Sequence, residues 1–265
     1  RELNLPSVSS ANGKGALILE AEELGYTYPA YHVEALRGID LHIREGEFLA
    51  ILGQNGSGKT TLAKHFNGLL KPTSGRMLVR GKSTSNYSHR DLSRMVGYVF
   101  QNPDHQIFAR TVQEEVGFSL KALGENPKTI EKRVAEALEV VELQGYEQKV
   151  PFALTKGERQ RVAVASVLAA QPQVVILDEP TTGLDPRARR EVWAVIENLK
   201  KLGKTVFLTT HYMEEAQMLA DRIAIIDKGK IVVTGSPEEL ISQYGGHKVL
   251  LIRKGDKKLA EILES

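Results

Sequence analysis

Phe48-Leu-Ala-Ile-Leu-Gly-Gln-Asn-Gly-Ser-Gly-Lys-Thr60 decides the reading of this chain: five apolar residues run into a glycine-rich turn closed by Lys-Thr, and Thr61 onward suits a helix. A strand, the pattern G-x-x-x-x-G-K-[ST] and a helix in that order make a phosphate-binding loop. Glycine is needed where the backbone wraps an anion with positive φ and no Cβ in the way. Successive amides and the following helix N-terminus then aim at the β-phosphate of a nucleotide. Gly53, Gln54, Asn55, Gly56, Ser57, Gly58 and Thr61 are therefore candidate nucleotide contacts. Lys59 is expected to reach the β- and γ-phosphates, and the Thr60 hydroxyl to ligate Mg²⁺. The plain alternative is a glycine turn.

Outward from this stretch, short β-type runs at Leu17–Glu20, Ile39–Ile43, Val174–Leu177, Val206–Thr209, Ile223–Ile226 and Ile231–Val233 alternate with helical patterns. Such alternation predicts an α/β fold, a mixed sheet between helices. Val174-Val-Ile-Leu177 is apolar on both parities, as a strand buried on both faces should be, and is expected to sit centrally. It ends in Asp178-Glu179-Pro180. Acidic residues at the C-terminal end of such a strand lie where α/β sheets bind ligands. Asp178 is the candidate for the Mg²⁺ shell, and Glu179 for polarising the water that attacks the γ-phosphate. Taken alone, the pair also reads as a solvated strand end.

Between Thr111 and Gln144 the strand signal disappears, and Ile130, Val134, Ala137, Leu138 and Val141 recur at helical spacing. An inserted helical subdomain over about 101–165 is expected, against the alternative of a simple crossover helix. Residues 1–15 read as a loose tail and 16–243 as the folded domain. A strand at Val249–Ile252 and a helix at Lys257–Leu263 form an extension over 244–265.

Composition narrows the class of function. The 265 residues are 42% apolar and 26% charged, with 35 basic and 33 acidic side chains mixed along the chain. No basic stripe or heptad run points to nucleic acid. Cysteine is absent, which excludes a disulfide framework and a thiolate metal site. No apolar run reaches the length of a membrane span, so a membrane role would come through a partner. The chain opens at Arg1 without methionine or a signal pattern, which suggests a processed chain or part of a longer one.

The order of these motifs resembles the ATP-binding cassette family from Leu17 to about Gln243. The family's identifying element before a helix, usually Leu-Ser-Gly-Gly-Gln, reads here Leu154-Thr-Lys-Gly-Glu158, followed by Arg159-Gln-Arg161. Thr155 keeps a hydroxyl for the γ-phosphate and Gly157 an unobstructed helix entry, while Lys156 and Glu158 depart from the pattern. Read alone, the segment is a Thr-capped amphipathic helix. The resemblance further implies that Gln101 touches Mg²⁺ and the attacking water. It places Thr182-Gly-Leu-Asp185 in a loop communicating across a dimer, and His211 on the γ-phosphate. Tyr28 falls near the place of an adenine-stacking aromatic residue, with Tyr26 and Tyr31 as competitors and strand packing as the alternative.

What the resemblance implies is an antiparallel β-subdomain beside the phosphate-loop sheet, with ATP and Mg²⁺ as cofactors. It also implies a head-to-tail dimer, with an identical or paralogous second cassette, in which Thr155 and Gly157 of one chain close the ATP of the other. Phe100-Gln-Asn-Pro-Asp-His-Gln-Ile-Phe108 is similar to the corresponding stretch of energy-coupling factor and cobalt-type importers of vitamins and metal ions. That implies a membrane coupling subunit and a substrate-binding membrane protein as partners, no nucleic acid, and a peripheral place on the cytoplasmic face of the membrane. The groove beside Gln101–Phe108 is expected to receive a coupling helix, with Asn102, Pro103, Asp104 and Gln106 running outward and Asp104 as the charged contact. The alternatives are an ATPase of another transporter class and a cassette acting on ribosomes or DNA.

Overall fold

The computed structural model describes residues 15–244. The tail before Gly15 and the expected strand and helix at Val249–Ile252 and Lys257–Leu263 lie outside them. The chain begins with two long strands, β1 (Leu17–Tyr28) and β2 (Val33–Arg44), then β3 (Phe48–Leu52) and α1 (Lys59–Phe66). Strands β4 (Ser74–Val79) and β5 (Lys82–Ser83), helix α2 (His89–Met95) and strand β6 (Val96–Val99) follow. Three helices come next, α3 (Val112–Ala122), α4 (Pro127–Val140) and α5 (Lys156–Leu168). The chain then alternates through β7 (Val174–Asp178), α6 (Pro186–Lys201), β8 (Thr205–Thr210) and α7 (Met213–Leu219). It ends with β9 (Arg222–Asp227), β10 (Lys230–Gly235) and α8 (Pro237–Tyr244).

Two sheets result. An antiparallel one runs β2-β1-β4-β5, and a six-stranded one runs β10-β9-β3-β8-β7-β6. In the larger sheet β9, β3, β8, β7 and β6 are parallel, and only β10 turns back as a hairpin on β9. The parallel strands feed alternate residues into two cores, which explains their unbroken apolar sequence. Phe48, Ala50, Leu52, Val175, Leu177, Val206 and Leu208 face the core shared with α3–α7. Leu49, Ile51, Val174, Ile176 and Phe207 face the other core, with α1 and the antiparallel sheet.

Two expectations need correction, and one strand has no counterpart in the sequence reading. The β7 strand is flanked on both sides, but it lies one strand in from the edge, and β3 and β8 hold the middle. The first two strands run 12 residues each, well past the expected Leu17–Glu20 and Ile39–Ile43; bulges shift their register and break the strict alternation that marks a strand. Ser74–Val79, which the sequence reading leaves unassigned, becomes a strand by pairing Leu19 with Val79 and Ala21 with Met77. Between β6 and β7 the described residues contain helices and turns but no strand, as expected.

Candidate functional site

The C-terminal ends of β3, β8, β7 and β6 lie side by side, and each carries chemistry. After β3 the chain turns through Gly56 (φ 78°) and Gly58 (φ 110°), a left-handed conformation that only glycine adopts freely. Gly53 serves a different need, since a Cβ there would stand 2.4 Å from the Ile226 carbonyl oxygen. Helix α1 starts at Lys59 with Gly58 as its cap, and Ser57 Oγ is buried without a protein partner. The Lys59 ammonium is buried and donates to the carbonyls of Gly53 (2.9 Å) and Gln54 (3.0 Å). It also pairs with Glu179 Oε1 at 3.0 Å.

At the end of β7 the two carboxylates have different surroundings. Asp178 is ringed by hydroxyls: Oδ1 accepts from Thr60 (3.0 Å) and Thr209 (2.6 Å), and Oδ2 from Tyr98 (2.8 Å). Glu179 has the left-handed φ of 45°, uncommon for a residue with a Cβ, and its amide meets the Thr209 carbonyl and hydroxyl, each at 3.0 Å. Its Oε2 accepts from Gln101 Nε2 (2.9 Å) and Thr182 Oγ1 (3.2 Å) and lies 3.4 Å from His211 Nδ1. That last contact is a close approach without an aligned hydrogen bond, since Nδ1 has no hydrogen-bond partner. Tyr98 and Thr209 were not foreseen. A tyrosine inside an apolar strand needs a buried acceptor, and that was the available signal. Burial, with the Asp178 charge and hydrogen bond, pushes the Tyr98 phenol well above its ordinary range.

A cavity of about 670 Å³ opens beside this cluster, lined by Tyr28, Asn55, Lys59, Thr60, Gln101 and Glu179 among others. Of the three tyrosines, Tyr26 is buried, Tyr31 is exposed, and Tyr28 lines the cavity with its hydroxyl 3.1 Å from Thr61 Oγ1. The oxygen donors fit a hard cation: Thr60 Oγ1 and Asp178 Oδ1 are 3.0 Å apart, and substrate phosphates would complete the shell. No cluster of three or more His, Cys, Asp or Glu suited to a metal exists among the described residues.

The segment Leu154–Glu158 does not line this cavity. Thr155 caps α5 and Glu158 completes a capping box, with Glu158 Oε2 accepting from both the Thr155 amide and its hydroxyl at 2.8 Å. Burial raises the Glu158 carboxyl, but the Thr155 and Tyr146 hydrogen bonds and the Arg161 charge outweigh that and hold it below the usual range. Gly157 lies against α6, where an added Cβ would come 2.8 Å from Ala188 Cβ. Lys156 Nζ donates to the Thr182 carbonyl at 3.0 Å. Asp185 caps α6 through the amides of Arg187 and Ala188 (2.9 and 3.0 Å), and the Ala188 bond leads in keeping its carboxyl low.

The expected outward run beyond Gln101 is only partly present. Pro103 is buried, and Gln106 turns inward to the Ala163 carbonyl (3.0 Å) and Ser166 (2.9 Å) on α5. Asp104 is engaged by Arg159 at 2.8 Å and is not a free acid. Asp104 and His105 stay at the surface, and the large apolar side chains exposed here are Phe108 and Phe118, packed edge to face with centroids 4.6 Å apart.

The chain is similar to known proteins in sequence and in fold. The family model described as ABC transporter matches residues 36–182. A second, described as AAA domain, putative AbiEii toxin, Type IV TA system, matches 150–215. A putative ABC transporter ATP-binding protein of Caldanaerobacter subterraneus subsp. tengcongensis is 48% identical over 229 residues, or 86% of this chain; the match spans 40% of that protein's length. The energy-coupling factor transporter ATP-binding protein EcfA of Methanocaldococcus jannaschii is 41% identical over 248 residues, covering 92% of this chain and 86% of that one. The structure of cbiO1 from Clostridium perfringens, described as part of the ABC transporter complex cbiONQ, superposes with a TM-score of 0.79 at 38% identity. That alignment covers 86% of this chain and 91% of cbiO1. The chain belongs to the ABC transporter family, as an ATP-binding cassette with the phosphate-loop fold.

Proposed function

We propose that this chain is the ATP-hydrolysing motor of an energy-coupling factor type importer for a vitamin or metal ion. It would work at the cytoplasmic membrane face with a second cassette, a coupling subunit and a substrate-binding membrane protein. The observation that carries the hydrolytic reading is the convergence on Glu179 of Lys59, Gln101, Thr182 and His211, beside the Thr60–Asp178 pair. The resemblance to EcfA and cbiO1 supports the transport reading. No helix among the described residues is long and apolar enough to cross a membrane.

Entering phosphates compete with Glu179 for the Lys59 ammonium. Once Lys59 turns to phosphate, the Glu179 carboxylate is free to take the proton of the attacking water, oriented by Gln101 and His211. Thr60 and Asp178 would hold Mg²⁺, with Gln101 at its edge. The ion supplies charge neutralisation at the phosphates. Tyr28, which lines the cavity, would stack on the adenine. Because Leu154–Glu158 stands outside the cavity, its role at a nucleotide requires a second cassette, where Thr155, Lys156 and Gly157 would face the partner's phosphates and Asp185 the dimer seam. The exposed Phe108–Phe118 pair is the surface for a coupling helix. The test is reconstitution with coupling and substrate-binding subunits. ATP-dependent uptake that disappears with Glu179→Gln, and with Phe108→Ser and Phe118→Ser while soluble ATPase survives in that pair, is expected. Uptake indifferent to Glu179→Gln refutes the motor reading.

A further inference from the structure

Glu215, in the first turn of α7, is fully buried and has no cation partner among the described residues. Its Oε1 accepts two hydrogen bonds, from the Thr181 hydroxyl and the Trp193 indole, each at 2.8 Å. Its Oε2 has no protein partner. A buried carboxylate with neutral donors on one oxygen and nothing on the other is costly compared with apolar packing, and such a group calls for an explanation. Hydrogen bonds to a charged acceptor are stronger than neutral ones, so the carboxylate grips both donors more firmly than an amide would.

What it grips matters. Thr181 is buried and stands two residues after Glu179, and the intervening backbone carries the left-handed φ at Glu179 itself. A conformation of that kind persists only where its surroundings hold it. The next residue, Thr182, donates its hydroxyl to Glu179 Oε2 at 3.2 Å and its amide to the Glu179 carbonyl at 3.2 Å. On the other side, α7 begins two residues after His211, and His211 approaches the same Glu179 oxygen at 3.4 Å. Thus one buried oxygen ties the loop after β7, helix α6 through Trp193, and the helix behind His211. Both groups that flank Glu179 Oε2 from the C-terminal side trace back to it.

We propose that Glu215 is a positioning residue for hydrolysis, clasping Thr181 so that Thr182 and His211 hold the Glu179 carboxylate in register with the attacking water. The inference rests on the reading of Glu179 as the residue that accepts the water's proton.

The experiment compares Thr181→Val, Glu215→Ala, Glu215→Gln, Trp193→Phe and Glu179→Gln in the full chain, measuring ATP affinity and single-turnover and steady-state hydrolysis. Thr181→Val removes the hydroxyl at constant shape, so it gives an answer even if Glu215→Ala does not fold. Thr181→Val is expected to lower kcat about tenfold while ATP affinity stays within about twofold. Glu215→Ala should do at least as much, and Glu215→Gln, whose amide oxygen still accepts both bonds, should recover a measurable part of that loss. Trp193→Phe removes the other donor without touching the loop and should keep kcat near wild type. Wild-type kcat in Thr181→Val overturns the proposal, as does a parallel loss of affinity, an equal loss in Trp193→Phe, or no recovery in Glu215→Gln over Glu215→Ala. If Glu179→Gln itself turns over like wild type, the reading of Glu179 fails first; if only the clasp variants are silent, that reading stands and this one falls.

Discussion

Lys59 and Glu179 form a buried pair, and under the proposed function this pair has to separate before either meets ATP, which sets the expected behaviour of their variants. In Glu179→Gln the phosphates no longer compete with a carboxylate for the ammonium. ATP affinity should rise, on the order of three- to tenfold, while turnover falls on the order of a hundredfold or more with loss of the base. Equilibrium binding and single-turnover assays on one preparation check both signs; weaker binding would place Glu179 on the nucleotide side of the site. Tyr98→Phe leaves Asp178 Oδ2 buried and bare, which should cost about 1–3 kcal/mol of stability and raise the Mg²⁺ concentration needed for hydrolysis; chemical denaturation and an Mg²⁺ titration measure these. His65, fully buried in α1 with Nδ1 2.7 Å from the Thr61 carbonyl oxygen, is held below its ordinary 6.5 chiefly by burial. Its unfolded form therefore binds the proton more readily, so its contribution is complete above pH 6.5 and is lost as pH falls through the folded value. Denaturation midpoints at pH 7.5 and pH 5.5 should differ less in His65→Met than in wild type. Residue types at this scale were legible where one stretch of chain holds the whole signal, as in Gly53–Thr60. The hydroxyl ring around Asp178 was not, because Tyr98 and Thr209 approach it from 80 and 31 residues away.

Helix α5 illustrates how one element serves two requirements. Its Thr155–Glu158 capping box is local chemistry, readable from a threonine followed three residues later by glutamate. Yet the box commits the Thr155 hydroxyl to a carboxylate in the single cassette. Glu158→Gln removes that charge, and in a closed dimer it should favour approach of the partner's phosphates. ATP-driven dimerisation of Glu158→Gln is thus expected to be stronger than in wild type, read by light scattering at matched ATP. Equal or weaker dimerisation would mean that the box opens at no electrostatic cost. Thr155→Ala should lose about 1 kcal/mol of stability from the lost cap, measured by urea unfolding. Elements buried on both faces were the easiest to read: β3 and β7 begin where their apolar runs begin, and β3 ends at its last apolar residue. The antiparallel sheet was half legible. Bulges interrupt the alternation of β1 and β2, and β4 becomes a strand through pairing with β1, a contact no local pattern records.

At the scale of the whole molecule, the site lies at the ends of the four neighbouring strands β3, β8, β7 and β6, while the Leu154–Glu158 turn opens elsewhere. Composition and periodicity could not give that separation, which only the family resemblance implied, since it depends on how α3–α5 pack with one another and with α6. If two cassettes meet head to tail, each nucleotide draws its phosphate loop from one chain and its Thr155 turn from the other. Gly157 is a poor place to disable the second half, because a Cβ there meets Ala188 and would disturb α5 against α6. Thr155→Ala with Lys156→Glu alters the exposed turn instead, leaving the core contacts of α5 intact. Lys59→Ala disables the other half by removing the phosphate-facing charge. Each variant alone should be nearly inactive. Mixed in equal amounts, about half of the pairs would combine the two chains, and one of the two sites in each such pair would be intact, so about a quarter of wild-type sites should return. Hydrolysis rising to that level on mixing, and falling again with an excess of either variant, is the expected result. A mixture no more active than its components, with pairing verified by cross-species labelling, would mean that this chain completes its site with a paralogue or within one cassette.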